Sequence, residues 1–479
     1  AESGRPLRGA LIEVPGTLLR TTVDAEGRFQ LPRVPAGSHS ITLRYLGRET
    51  QTQNVTVQSN ASTSVTFDVP VAAIALEGLT VLGARAQVQA EALNRQKNAP
   101  NIGHVVASDQ IGRFPDASAP EAVQRLPGVA LARDQGEGRY IRIRGGSAAN
   151  TQVSYNGVQI PAPEGEVRQI ALDAIPVDIL ESITVWKTLL PDLDADAIGG
   201  SVNLATRKAP AARLVSFEGA GGVATIRDQA SGSGALTFGN RFSDGRLGLL
   251  LSGSYSRRQF GSDNLEPAYD LGDVAGIGDD VLEEMQVRHY SIMRARTGGT
   301  GTLDYRPNDR TLFTFTGLYS KLEDHEQRRA LLHVVADDEL VFEHKNRYEY
   351  DEILGGIFGG EHLFARGLKL DYQLSMTRSQ EIQPYENTVG FVQSDVSFSP
   401  NISNADNIQA NPAAGAIGGQ YLFDELQEVS YDAKDTDRVG ALNFTLPYRL
   451  GANGAGRLEF GFKVRSKNKI QDQTITASE

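Results

Sequence analysis

The side chains in this sequence best placed to do chemistry are charged pairs rather than nucleophiles. Arg142 and Arg144 alternate in the run Ile141-Arg142-Ile143-Arg144, with Gly145 and Gly146 directly behind them. A guanidinium is a planar fork of donors that matches a carboxylate, so the two arginines suit ion pairing with a neighbouring unit. Gly145 and Gly146 would permit a bend or a close backbone approach there. Two arginines on a solvated strand face are the alternative. Other chemistries find less support. The chain has no cysteine, which removes disulfides, zinc–thiolate sites and thiol catalysis together. His39 has no second ligand at metal spacing, and Gly359-Gly360-Glu361-His362 lies in an alternating strand. His325, His333 and His344 fall in a stretch rich in Glu and Asp that reads as a loop, where solvated histidines are expected and a haem or metal contact is the alternative. Asp263, Glu266, Asp270, Asp273, Asp279, Asp280, Glu283 and Glu284 make a second acidic loop, either attracting cations or holding water. No nucleophile–His–acid set and no phosphate-cradling glycine loop stands out, so neither an enzyme nor a resident cofactor is expected.

Composition narrows the class. At 479 residues the chain calls for two to four units. Its formal net charge of −12 comes without a basic stripe, which argues against a nucleic-acid partner. Fifty glycines and fifteen tyrosines beside a lone Trp186 suit a strand-rich protein with many turns. No apolar run approaches the length of a membrane helix, but barrel strands need only about ten residues of alternating polarity. Ala1-Glu2-Ser3-Gly4 has no initiator Met, basic region or apolar core, and reads as a mature chain whose signal peptide has been removed.

The elements follow from periodicity and punctuation. Residues 1–69 read as a small β-sandwich of short strands, among them Leu18–Val23, Arg28–Val34, Ser38–Leu46, Asn54–Gln58 and Ser62–Val69. Residues 70–100 read as a linker, apolar and small over Val71–Leu82 and polar over Ala84–Asn98. Residues 101–210 mix signals. Ser118-Ala119-Pro120-Glu121 has capping-box spacing, Ala122, Val123 and Leu126 supply an apolar face, and Pro127-Gly128 stops the helix. Tyr140–Arg144, Thr151–Tyr155 and Ile179–Trp186 are strands, and Asn156-Gly157 is a tight turn. From 213 onward, long strands alternate, as in Leu368, Leu370, Tyr372, Leu374 and Met376, or Leu458, Phe460, Phe462 and Val464. A soluble sandwich with one buried face would alternate too. Connection lengths favour a barrel: short links near 240–246, 307–310, 365–367 and 451–456 separate long ones at 260–286, 322–350 and 380–437. Nine strands are expected, beginning near 213, 233, 246, 294, 311, 353, 367, 438 and 457. Closed bacterial barrels have even strand numbers, so the odd count predicts that these residues are part of a longer protein.

Several runs carry a family resemblance. Gly9-Ala10, Thr21 to Leu31 and Val34-Pro35-Ala36-Gly37 resemble the carboxypeptidase-regulatory-like domain, a module without peptidase chemistry of its own. Ile141 to Gly146, Val153 to Pro161, Glu121 to Val129 and Ala197 to Lys208 resemble, in order, the plug of TonB-dependent outer-membrane receptors. Ile111 to Asp116 and Asp192 to Asp196 are similar to the Xanthomonas–Caulobacter-like branch. The resemblance implies a mostly β protein: an N-terminal β-sandwich (1–69), a linker holding a TonB box (70–100), an α/β plug domain (101–210) and part of a transmembrane antiparallel β-barrel (213–479), of roughly twenty-two strands when whole. By position, Leu76, Glu77, Gly78, Leu79, Thr80, Val81, Leu82 and Gly83 would form the TonB box, an extended strand added to a sheet edge of TonB. Arg142, Arg144, Gly145 and Gly146 would be the plug's contacts with the barrel. The implied activity is TonB-dependent import of a scarce solute, an oligosaccharide or a ferric siderophore, across the bacterial outer membrane. TonB, outer-membrane lipid and lipopolysaccharide would be the partners, with the leading domain and plug on the periplasmic side. An energised signalling receptor or a surface adhesin is the alternative, although signalling members usually lead with a βαβ module rather than a sandwich. A passive porin is disfavoured, because the plug would block it.

Overall fold

A computed structural model describes residues 6–24, 27–59, 61–69, 84–99, 101–107, 118–162, 164, 168–189, 194, 196–270, 281–404, 407–450 and 454–478. The N-terminal unit is built on an antiparallel sheet of β1 (Leu11–Glu13), β2 (Arg20–Thr22), β3 (Gly37–Arg44) and β4 (Gln51–Val57), in the order β2-β1-β3-β4. Ala10, Ile12, Val14, Ile41, Leu43 and Tyr45 form its core, closed by Phe29, Leu31, Val65, Phe67 and Val69. The expected strands over 28–34 and 62–69 therefore supply a second layer, but as extended chain without a ladder. Pro32 and Pro35 lack the donors a ladder requires in the first of these segments, and side chains hold the layer: Phe29 against Phe67, Gln53 donating to the Thr66 carbonyl at 2.9 Å and Arg48 to the Val69 carbonyl at 2.7 Å.

The expected linker contains a helix. α1 (Ala84–Lys97) is rich in Ala, Gln, Arg, Glu, Leu and Lys, all strong helix formers. It was unmarked in the sequence because small residues such as Ala90 and Ala92, rather than a large apolar stripe, pack its contacts.

The next unit holds β5 (Gly103–Ala107), α2 (Ala119–Val123), β6 (Val129–Asp134), β7 (Glu137–Ile143), β8 (Thr151–Tyr155), β9 (Val158–Gln159), β10 (Leu180–Trp186) and β11 (Gly200–Thr206). Five of these strands form one sheet in the order β5-β10-β11-β8-β9, with β8 and β11 parallel, while β6 and β7 pair as a separate hairpin. The Asn156-Gly157 turn forms as expected, with φ of 47° and 83°. Asn156 also ties this turn to β11, donating to Thr206 Oγ1 at 2.9 Å and accepting from the Thr206 amide at 3.0 Å. The capping box does not form. Ser118 is drawn into a bridge with Pro176, leaving its hydroxyl buried without a partner, and Glu121 instead accepts from the Gly138 amide at 2.8 Å.

The largest sheet has nine antiparallel strands: β12 (Leu214–Ala224), β13 (Gln229–Phe242), β14 (Leu247–Asp270), β15 (Val281–Asn308), β16 (Thr311–Val334), β17 (Glu339–Leu363) and β18 (Lys369–Gln393), then β21 (Leu422–Leu450) and β22 (Gly454–Ser478). β19 (Phe398–Asn401) and β20 (Gln409–Pro412) form a small hairpin between β18 and β21. The count and the turns at the near end match the periodicity. Most of the expected long loops are instead strand: β16 and β17 continue to a turn at 335–338, so His325, His333 and His344 sit in or against ladders. Over residues 323–328, Glu-Asp-His-Glu-Gln-Arg, the inward face is charged and paired: Asp324 and Glu326 are 2% and 3% exposed, Asp324 on Arg294 and Glu326 on Lys345 and Arg347. The apolar–polar alternation therefore disappears while the backbone ladder continues. Within the alternating portion the two faces differ sharply: Phe217, Leu374, Phe462 and Val464 are more than half exposed, whereas Ser252, Thr300, Thr302, Ser320, Thr377 and Ser379 on the opposite face are buried. This sheet is apolar outside and polar inside, the reverse of a soluble sandwich.

Candidate functional site

The polar face of the nine-stranded sheet is covered by the β6–β7 hairpin and the five-stranded sheet. Gln135 and Gly136 take φ of 48° and 82°, a tight turn that brings Asp134 and Glu137 side by side. Because side chains alternate along β7, Glu137 and Arg139 share a face with Ile141 and Ile143. That face meets the wall.

Two wall arginines receive Glu137. Arg294 and Arg296, two apart on β15, are 1% and 0% exposed. Arg296 Nη2 lies 2.5 Å and Arg294 Nη1 3.1 Å from Glu137 Oε2, while Arg258 of β14 donates to Oε1. Arg294 also reaches Asp134 at 2.6 Å and Asp324 of β16 at 2.8 Å, and Arg296 Nε donates to the Asp173 carbonyl at 2.7 Å. Burial alone would push the Glu137 carboxyl up, but Arg296, Arg294 and Arg258 outweigh it and hold it at about 2.

The pairing is reversed one step along β7. Here the cation is Arg139, 2.9 Å from Glu164 and 3.9 Å from both Asp351 of β17 and Glu381 of β18. Burial would lower this guanidinium, yet Asp173, Asp351 and Glu164 raise it instead. Tyr140 donates to Glu164 at 2.6 Å, and burial pushes its phenol up. The arrangement is thus an interlock, with plug carboxylates on wall arginines and a plug arginine on wall carboxylates. Arg294, Asp324, Asp351 and Glu381 lie twelve to fourteen residues above the short-turn ends of their strands, roughly 30–35 Å up a tilted barrel strand.

Neutral contacts complete the surface. Ser320 donates to the Ala174 carbonyl at 2.6 Å, Thr302 to Arg207 at 3.3 Å, and Thr377 to Gln159 at 3.3 Å. Lys469 of β22 donates to the Glu164 carbonyl at 2.6 Å. A Cβ on Gly298 would lie 2.8 Å from Pro176 Cγ, so a wall glycine makes room for the proline. Leu318, Leu322, Ile353 and Ile357 are the wall's share of an apolar core that otherwise belongs to the inner unit.

Among the described residues, neither Arg142 nor Arg144 is paired with a wall carboxylate. Both are exposed, and Arg144 donates within its own unit to the Gly199 carbonyl at 3.2 Å. Strand alternation explains Arg142, which occupies the opposite face of β7 from Glu137 and Arg139, while Arg144 lies just past the strand at φ 54°. A Cβ added at Gly145 or Gly146 would meet no wall residue within 4 Å among the described residues. Gly145 serves the backbone, at φ 73°, and Gly146 adjoins the Ile143 carbonyl. Leu76 to Gly83 lie outside the described residues. Sequence reasoning missed Arg294 and Arg296, although their spacing of two in Met-Arg-Ala-Arg-Thr-Gly-Gly, on one face of a strand, was a usable signal. His325 stacks on Tyr348 at 4.3 Å, and His333 Nδ1 lies 2.6 Å from the Ala410 carbonyl. Asp263 pairs with Arg227 at 2.7 Å and Glu266 with Arg288 at 2.5 Å, while 271–280 are outside the described residues. No group of three potential metal ligands occurs among the described residues.

Residues 95–201 match the TonB-dependent receptor plug domain, and residues 1–70 match the carboxypeptidase regulatory-like domain. The chain carries a TonB-dependent receptor plug domain. Its plug is the unit held by the interlock, and the nine-stranded sheet is barrel wall. Solved structures similar to this receptor include the unliganded ferric citrate transporter FecA (14% identity over 80% of this chain, TM-score 0.35), the siderophore receptor PiuA from Acinetobacter baumannii (13% over 79%, TM-score 0.33) and a mutant of the ferric enterobactin receptor PfeA from Pseudomonas aeruginosa (12% over 75%, TM-score 0.40). The receptor chain spans 61%, 62% and 63% of those chains respectively. No curated protein matches it.

Proposed function

We propose that this receptor imports a scarce solute, an oligosaccharide or a ferric siderophore, across the bacterial outer membrane by TonB-driven displacement of the plug. The observation that carries the reading is the interlock: apart from the apolar contact at Leu318, Leu322, Ile353 and Ile357, plug and wall meet through charged and hydroxyl side chains. Such a surface holds the plug by discrete bonds that water can replace when it moves, and a plug with no need to move would be better sealed by apolar packing. The reading assigns residues 1–69 to a periplasmic domain, 70–100 to the TonB-contacting linker, 101–210 to the plug and 213–479 to barrel. Leu76 to Gly83 would add as a strand to TonB. The role is transport, not catalysis.

The test is deletion of Leu76 to Gly83 in cells, with uptake and surface binding measured for a panel of ferric siderophores and oligosaccharides. A solute that still binds but is no longer accumulated is the expected result. Undiminished uptake would refute TonB-driven import, and binding that produces gene induction without accumulation would favour a signalling receptor.

A further inference from the structure

Residues 76–83 run directly into α1, and α1 is not fastened to the plug alone. Asn94, 3% exposed, accepts from the Leu46 amide of the N-terminal domain at 3.0 Å, and its own Nδ2 is fixed on the Ala90 carbonyl at 2.7 Å. Asn98 donates to the Gly9 carbonyl at 2.8 Å. Gly9 holds φ +78°, and a Cβ there would lie 3.1 Å from the backbone nitrogen of Arg95, so glycine allows the domain to approach the helix backbone. Ala90 packs against the domain's core.

The opposite side of α1 holds the plug. Arg95 donates to Ser182 at 3.2 Å and Thr184 at 3.3 Å on β10, and Ala92 packs on Val105 and Ala107 of β5. Two looser ion pairs extend the contact: Arg8 with Glu181 of the plug at 4.0 Å, and Arg28 with Glu361 at the short-turn end of the barrel wall at 3.6 Å. The chain entering residues 70–83 leaves from Val69, 1% exposed in the domain's core, and the chain leaving them enters a helix docked on the same domain. Both ends of the segment are therefore anchored to one small body.

We propose that the N-terminal domain is a clamp in the load path of the plug: traction on residues 76–83 must peel α1 off the domain before it can load β5. The bonds of Asn94 to Leu46 and of Asn98 to Gly9 then set the force at which the plug begins to move. A pull too weak or too brief leaves the plug seated. This rests on residues 76–83 being the segment that is pulled, and deepens that reading.

The test applies the pull chemically. The sequence contains no cysteine, so Leu79→Cys gives the full-length receptor, held in lipid vesicles, a unique thiol handle for optical tweezers. The first extension step should be about 30 Å, the gain on straightening a helix of α1's length. At constant force that step should come on the order of tenfold sooner in Asn94→Ala/Asn98→Ala, with the later plug steps unchanged. Asn98→Ala alone should give a smaller shift in the same direction and serves if the double variant does not fold. An unchanged first step in the variants, or a first step that opens plug strands with α1 still docked, would overturn the clamp. Because the handle replaces TonB, none of these results depends on whether TonB grips 76–83. Binding of the isolated periplasmic domain of TonB to the unaltered receptor reads that separately.

Discussion

Replacing Glu137 with Gln removes one negative charge from the centre of the interlock while keeping the side chain's shape. Three arginines converge on that carboxylate, and two of them, Arg294 and Arg296, are essentially inaccessible to water. Arg294 keeps Asp324 and Asp134 as partners, but Arg296 is left with the Asp173 carbonyl. The cost follows from the carboxyl's own titration: holding it at about 2 rather than its ordinary 4.5 corresponds to about 3 kcal/mol. This agrees with the roughly 3–5 kcal/mol lost when one member of a buried pair is deleted, less an allowance for Arg294's remaining partners. The displaced plug should accordingly be about a hundredfold more populated. Hydrogen exchange at neutral pH reads this as faster exchange of the β6–β7 amides, with the wall ladders of β14 to β16 unaffected. The pairing of Glu137→Leu with Arg296→Met should recover most of the loss, since two apolar groups need no counter-charge. Unchanged exchange in Glu137→Gln would refute the electrostatic account of plug retention.

Further outcomes follow from the same geometry. Since the Glu137 pKa is lowered on folding, its contribution is complete above pH 4.5 and is lost as pH falls toward 2. Hydrogen exchange in β6–β7 should therefore accelerate across that window in the native receptor and much less in Glu137→Gln. Arg139→Met leaves Asp351 and Glu381 facing each other without their cation; planar-bilayer recordings should show channel openings absent from the native receptor, and a silent channel would count against the pairing. Gly298→Val should drive a methyl into Pro176 and raise plug exchange around 172–177 without disturbing β15 beyond that position. Joint reversal of Arg142 and Arg144 to Glu should change stability by less than about 0.5 kcal/mol, as for exposed sites with no ion pair among the described residues, measured by denaturant titration.

The architecture was legible wherever one face of a strand meets lipid or core, since burial imposes the alternation that the eye detects. Nine wall strands, the Asn156-Gly157 turn and the strands around 151–155 and 180–186 followed from that rule. It failed in two physical settings. At 323–328 the buried face carries ion-paired carboxylates, Asp324 and Glu326, instead of apolar side chains, so a continuous ladder looks like a loop. In α1, packing by Ala90 and Ala92 leaves no large apolar stripe, so a docked helix looks like a linker. At the site, the arginine–carboxylate pairs between plug and wall are made by Arg139, Arg294 and Arg296. Arg142 and Arg144 stood out because they precede two glycines, yet a one-residue step along a strand turns a side chain to the other face. The capping box at Ser118 shows the same limit, because the partner that displaced it, Pro176, is remote in sequence.

The central claim is that TonB moves this plug by gripping residues 76–83, and site-directed disulfide formation in living cells tests it most directly. With no cysteine in the sequence, single cysteines placed at each position from Leu76 to Gly83 report contact with a cysteine placed on the edge strand of TonB's periplasmic domain. The account predicts mixed disulfides that alternate along this segment, as one face of an added strand would produce, and none at Thr63→Cys in the N-terminal domain. Uniform absence of disulfides from 76 to 83, with crosslinks arising elsewhere in the chain, would contradict it.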